Sequence, residues 1–292
     1  MIRPAADELF LKCSSAYAFD ELRNYPNGRQ MQQLSLAVRD SMAGCFRGEY
    51  DAAPEIDFAG RKYGYRDFFN YFRYGLSFEE ACRAVIAAFN DCPLAYFANT
   101  YTVFGNAENG SILYALADEY RPGAERKRVS AEIEAQIREI AGSIPPNLPD
   151  REKSERAYRL MCGSSEYDAV LSGVNYVDIP SHSVAGWFIG RKAVCEGLSK
   201  AYQSIMLYLG VECLTFGGIC YAYDGEKSRK PTRHAWNFVK IDHAWRIVDV
   251  TEGVCGGNGF LVPEPHVTYR DFREDERDTH ASVYQYPAPV FI

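Results

Sequence analysis

Apolar positions in the first half of the chain recur mostly on a helical period. Between Gln30 and Cys45, Met31, Leu34, Leu36, Val38, Met42 and Ala43 fall at helical offsets. From Ser77 to Asn90 the pattern is sharper. Ser77 can cap, Glu80 completes a capping box, and Ala81, Val85, Ile86 and Phe89 form an apolar stripe. Asp91-Cys92-Pro93 then ends the helix. Ser111–Tyr120 reads as a strand. Ser130–Ile140 alternates charge on a helical period with Ile133, Ile137 and Ile140 inward. Asp51–Pro54 reads as a loop. Residues 1–125 are therefore expected to be a mainly helical region, and nothing in them looks catalytic.

The prolines of Ser143–Asp150 (SIPPNLPD) punctuate the chain, and the pattern changes beyond them. Asp150–Met161 is expected to be a helix capped by Asp150, followed by a loop-rich stretch from Cys162 to Gly190. Glu196–Leu209 then places Leu198, Ala201, Tyr202, Ile205 and Leu209 on one helical face, with Gly210 where a C-terminal glycine belongs. Val211–Gly218, His234–Ile241 and Ala244–Val250 read as strands, the last two joined through Asp242-His243. A helix followed by antiparallel strands predicts an α+β fold, with residues 126–292 as its domain.

Composition narrows the function. The chain has 292 residues, of which 47% are hydrophobic and 14% aromatic, enough for a sizeable core and not a disordered composition. The net charge is −7 and no Lys/Arg run forms a basic stripe, which argues against a nucleic-acid partner. The longest apolar stretch, Ala84–Phe89, is too short to span a membrane. Asp7, Glu8 and Lys12 interrupt any secretory h-region. The nine cysteines are odd in number and form no C-x-x-C pair. Free thiols in a reducing, cytoplasmic setting are expected, with no metal site and no cofactor.

Cys195 stands immediately before the Glu196–Leu209 helix. Backbone N–H groups and the positive end of the helix dipole favour a thiolate there, and the thiolate is the reactive form. Gly197 would leave room for a substrate backbone. The bland alternative is a small buried hydrophobe at a helix start. The strand pair adds a second observation. A two-residue Asp242-His243 turn pairs Ile241 with Ala244 and, by extension, Trp236 with Asp249 and His234 with Thr251. Asp249 then becomes the diagonal neighbour of His234, about 7–8 Å away along the sheet and within side-chain reach. An unpaired carboxylate among Trp245, Ile247, Val248 and Val250 would be costly. Nucleophile, base and orienter are thus available in Cys195, His234 and Asp249.

Three segments carry a family resemblance. Ala193-Val194-Cys195-Glu196-Gly197, with Ser199-Lys200-Ala201 and Leu209-Gly210-Val211, resembles the cysteine segment of bacterial transglutaminase-like proteins. His234-Ala235-Trp236-Asn237 is similar to their histidine motif. Trp245 with Val248-Asp249-Val250-Thr251 is similar to their aspartate motif. All three follow the family's order, with Cys195 and His234 39 residues apart and His234 and Asp249 15 apart. Asp150–Asp168 resembles the segment before the cysteine, and Gly259–His280 the tail after the aspartate. The resemblance implies a papain-like α+β core, in which the helix bearing the cysteine packs on an antiparallel sheet, and chemistry through a thioester. Where relatives often carry a tyrosine ten positions before the cysteine, this chain has Ala185. Trp187, Ser183 and Trp236 are then the candidates for an oxyanion or substrate contact.

The expected function is thiol-dependent acyl transfer on a peptide or protein amide, by a peptidase, an amidase or a transglutaminase-type enzyme. The alternative is a non-enzymatic interaction module that keeps the fold. Neither the acceptor, water or amine, nor the oligomeric state is readable from the sequence.

Overall fold

The computed structural model describes residues 5–49, 54–58, 60–171, 180–224, 227–228, 232–262 and 267–271. Most of the Asp51–Pro54 loop, the end of the Gly259–His280 tail, and His266 and His280 lie outside the described residues. The chain divides into two compact units, residues 1–136 with 174–180, and residues 137–173 with 181–292.

The first unit holds α1 (Ala5–Lys12), α2 (Tyr17–Glu21), α3 (Gly28–Phe46), β1 (Glu55–Phe58), β2 (Arg61–Tyr65), β3 (Phe69–Asn70), α4 (Phe78–Asp91), β4 (Ala98–Asn106) and β5 (Ser111–Leu116). The apolar stripes go where the period puts them. Met31, Leu34, Val38 and Met42 of α3 are fully buried, although Leu36 is turned outward. Ser77 caps α4 in a complete capping box with Glu80. Beside the helices stands a five-stranded antiparallel sheet, of which the hydrophobic pattern marked only β5. Arg126 is buried and donates to the carbonyls of Cys45 (3.1 Å), Tyr120 (2.7 Å), Arg121 (2.6 Å) and Glu49 (2.6 Å). It thereby ties together backbone acceptors at the end of α3 and in the segment just before α5 (Gly123–Ser143). Arg126 belongs to α5, which contains the boundary between the units.

The second unit continues with α6 (Asp150–Ser164), β6 (Glu166–Tyr167), α7 (Val184–Gly190), β7 (Lys192–Ala193), α8 (Cys195–Tyr208), β8 (Cys213–Asp224), β9 (Lys227–Ser228), β10 (Thr232–Ile241), β11 (Ala244–Val248), α9 (Val250–Val254) and β12 (Val267–Asp271). Its main sheet is antiparallel in the order β11-β10-β8-β12, with β9 paired to β8. Helix α8 packs on β10 and β8 and buries Leu198, Ala201, Tyr202 and Ile205. Asn237 pins the two layers, donating from Nδ2 to the carbonyls of Ser199 (2.9 Å) and Leu214 (3.2 Å). This is the α+β core with the cysteine helix on an antiparallel sheet.

Three local expectations change. The loop-rich stretch before Gly190 contains a short helix, α7, capped by Ser183. Helix α6 starts after Pro149, so Asp150 is its first residue and not its cap. The strand expected over Ala244–Val250 stops at Val248, and the chain turns into α9.

Candidate active site

Cys195 is the first residue of α8, and no side chain caps that helix. Its first-turn N–H groups therefore keep their positive character facing the half-buried thiol. Gly197, two residues on, is not an open approach for substrate. A Cβ there would overlap the carbonyl oxygen of Ser181, so the chain's own segment at Ser181–Ser183 fills that space. The same segment is tied down by Val194 N–H to the Ser181 carbonyl (3.1 Å) and by Ser181 Oγ to Asp168 Oδ2 (2.7 Å).

His234 projects from β10. Its ring lies nearly parallel to the indole of buried Trp236, with centroids 6.3 Å apart and planes 27° apart. Its Nε2 is 2.7 Å from Asp249 Oδ2, which leaves Nδ1 for the Cys195 thiol, the ring's other hydrogen-bond partner. Burial disfavours a charged ring. The Asp249 carboxylate, and after it the Cys195 sulfur, outweigh that cost and hold the His234 pKa well above the ordinary histidine value. The arrangement favours a charged imidazolium beside the Asp249 carboxylate.

Asp249 is buried and reaches His234 from a position the sequence pattern did not anticipate. The Asp242-His243 turn forms with both residues at positive φ (51° and 65°), and the register Ile241↔Ala244 holds as far as Asn237↔Val248. Asp249 lies one residue beyond, as the N-cap of α9. Its Oδ1 accepts from Glu252 N–H (3.1 Å) while Oδ2 holds the imidazole. Asp249 followed three residues later by Glu252 is the spacing of a capping box, a signal present in the sequence.

The other candidate contacts fall in different surroundings. Trp187 is fully buried, donates Nε1 to Ser165 Oγ (2.6 Å) and carries the Arg191 guanidinium over its ring at 4.2 Å. It is a core residue. Ser183 Oγ accepts from Ala185 N–H and caps α7 (3.2 Å). Trp236 backs the imidazole. Cys213 is buried, whereas Cys255 is exposed just after α9. The side chain of Cys220 lies outside the described residues.

A second cluster of charged groups lies at His182. Its Nδ1 lies 3.4 Å from Glu196 Oε2, and Lys200 Nζ lies 2.6 Å from Glu196 Oε1. Burial alone would raise the Glu196 pKa, but Lys200 and His182 overcome it and hold the carboxyl down at about 2. The i,i+4 spacing of Glu196 and Lys200 was visible in the sequence; the histidine was not. Among the described residues no cluster of His, Cys, Asp or Glu could hold a metal ion, and no helix is long and apolar enough to cross a membrane.

Residues 138–250 match the family described as the Transglutaminase-like superfamily. No curated protein matches the chain. Among solved structures, a candidate cysteine protease from Cytophaga hutchinsonii is similar at 18% identity and a TM-score of 0.33, over 48% of this chain and 46% of that one. A structure described as a TGase is similar at 16% identity and a TM-score of 0.36, over 62% of this chain and 49% of that one. The chain thus spans about half the length of each. Its residues 138–250, which contain Cys195, His234 and Asp249, form a transglutaminase-like domain.

Proposed function

We propose that Cys195, His234 and Asp249 act as a catalytic triad for thiol-dependent acyl transfer on a peptide or protein amide. The observation that carries the reading is the 2.7 Å contact between His234 Nε2 and Asp249 Oδ2, with the Cys195 thiol as the ring's other partner. Nucleophile, base and orienter stand in sequence on one hydrogen-bonded path. The Cys195 thiolate attacks the amide carbonyl carbon, and the carbonyl electron pair moves onto oxygen. The N-terminal N–H groups of α8 face that charge. As the C–N bond breaks, the imidazolium of His234 gives its proton to the departing amine and a thioester remains. Water or a second amine then attacks the thioester with neutral His234 taking its proton. The C–S bond breaks, and an acid or a new amide leaves.

Among the described residues the cysteines form no disulfide, and the proposed setting is a reducing compartment such as the cytoplasm. Exposure to an iodoacetamide-type probe near neutral pH, followed by intact and peptide mass spectrometry, tests the reading. Cys195 should label first, ahead of the buried thiol Cys82, whose pKa burial pushes up to about 11, and Cys195→Ala should lose that adduct. Equal labelling of Cys195 and Cys82 would leave the non-enzymatic interaction module as the better account.

A further inference from the structure

Asp249 has to be aimed, and it sits where the chain leaves β11, one residue past the last strand pair. Its backbone is held from outside the sheet. Asp249 N–H donates to the Gly259 carbonyl (2.7 Å), and Gly259 N–H donates to the hydroxyl of Tyr158 on α6 (2.9 Å). The phenol is hydrogen-bonded to the Cys162 thiol as well, and its ring packs on Phe260 with centroids 5.4 Å apart. Phe260 makes an antiparallel bridge with Val248, so the returning segment runs beside both Val248 and Asp249.

Two glycines fit the same arrangement. A Cβ on Gly259 would overlap the carbonyl oxygen of Asp249, and a Cβ on Gly253 of α9 would overlap the Tyr158 hydroxyl and the Cys162 sulfur. The phenol, the returning strand and α9 therefore meet with no room for a methyl group at either point. The Tyr158 hydroxyl is a fixed partner over the working range of pH, because burial above all pushes its pKa up to about 12.

We propose that Tyr158 is a positioning residue for the Asp249–His234 pair, acting through the Gly259 backbone. The proposal rests on the triad reading above. Tyr158 touches neither substrate nor thiol of the site. It fixes where the Asp249 main chain lies, and so whether Oδ2 can reach the imidazole while Oδ1 caps α9.

The test is the pH profile of Cys195 alkylation by iodoacetate, read by peptide mass spectrometry on the full chain. Iodoacetate is anionic and is drawn by the imidazolium, so the rate falls at high pH as His234 loses its proton. Asp249→Asn should move that upper limb down by about one pH unit, the size expected for loss of a neighbouring charge. Tyr158→Phe and Gly259→Ala should move it in the same direction, and Tyr158→Phe should add nothing once Asp249→Asn is present. If Asp249→Asn moves the limb and neither other variant does, the positioning role is overturned and the triad stands. A uniform loss of rate with the limb unmoved in Tyr158→Phe and Gly259→Ala has the same meaning, since a merely structural defect would do that. If Asp249→Asn leaves the limb unmoved, the triad reading fails and this proposal falls with it.

Discussion

At the scale of single residues, the decisive one is Asp249, a carboxylate with two hydrogen-bonded oxygens and two jobs. Asp249→Asn keeps the shape but removes the charge that favours the imidazolium. Cys195 alkylation should slow by roughly 10²–10⁴, the upper end being the loss seen for the equivalent aspartate in serine proteases. A change of less than about threefold would remove Asp249 from the mechanism. Cys195→Ala should behave differently. The thiol is half-buried at a helix start and holds no layer together. The melting temperature should stay within a few degrees of wild type, and a loss of several kcal/mol, the size of a core cavity, would mark Cys195 as packing. The linkage of His234 runs toward alkali. Its pKa is raised in the folded state, so its stabilising contribution is full below the unfolded value of about 6.5 and is lost as pH rises through the folded value.

At the scale of elements, the first turn of α8 depends on the Glu196 carboxylate between Lys200 and His182. Glu196→Gln should cost roughly 2 kcal/mol at pH 7, measured by urea unfolding, because it leaves two half-buried donors poorly matched. The Glu196 pKa is depressed, so the difference should hold above the ordinary value of 4.5 and fade as pH falls toward about 2. A difference constant from pH 7 to pH 3 would rule out the ion pair as its cause. The elements also divide by legibility. Helices α3, α4 and α8 were readable because one face is apolar and their ends carry caps or a glycine. Strands β1 and β2 were not, because Glu55–Phe58 and Arg61–Tyr65 present charged, largely exposed positions with no clean alternation. The end of β11 was misread because Val248-Asp249-Val250 looks like an uninterrupted β-branched strand, and the Asp249–Glu252 spacing was the only sign of a helix. Cys195, His234 and Asp249 could be chosen from local motifs and one turn. Tyr158 could not, since it meets Gly259 from 101 residues away.

At the scale of the whole molecule, the two units should respond independently. Arg126→Ala removes a donor from the carbonyls of Cys45, Tyr120, Arg121 and Glu49, and should cost about 3 kcal/mol in the first unit. The alkylation rate of Cys195 in the folded protein should be unchanged; a parallel fall in rate would mean the site depends on the first unit. Residues 126–292 alone should keep preferential labelling of Cys195, and its loss would refute that boundary for the domain. Asp249 has a further consequence at this scale. One carboxylate both starts α9 and holds the imidazole, so opening of this five-residue helix should loosen the hold on the histidine while the sheet stays intact. Three populations are then expected: competent, folded but idle, and unfolded. Melting curves report only the last of these. The Glu252 amide, bonded to Asp249 Oδ1, reports the second, and its hydrogen-exchange rate should follow the idle fraction under conditions where no unfolding is detectable.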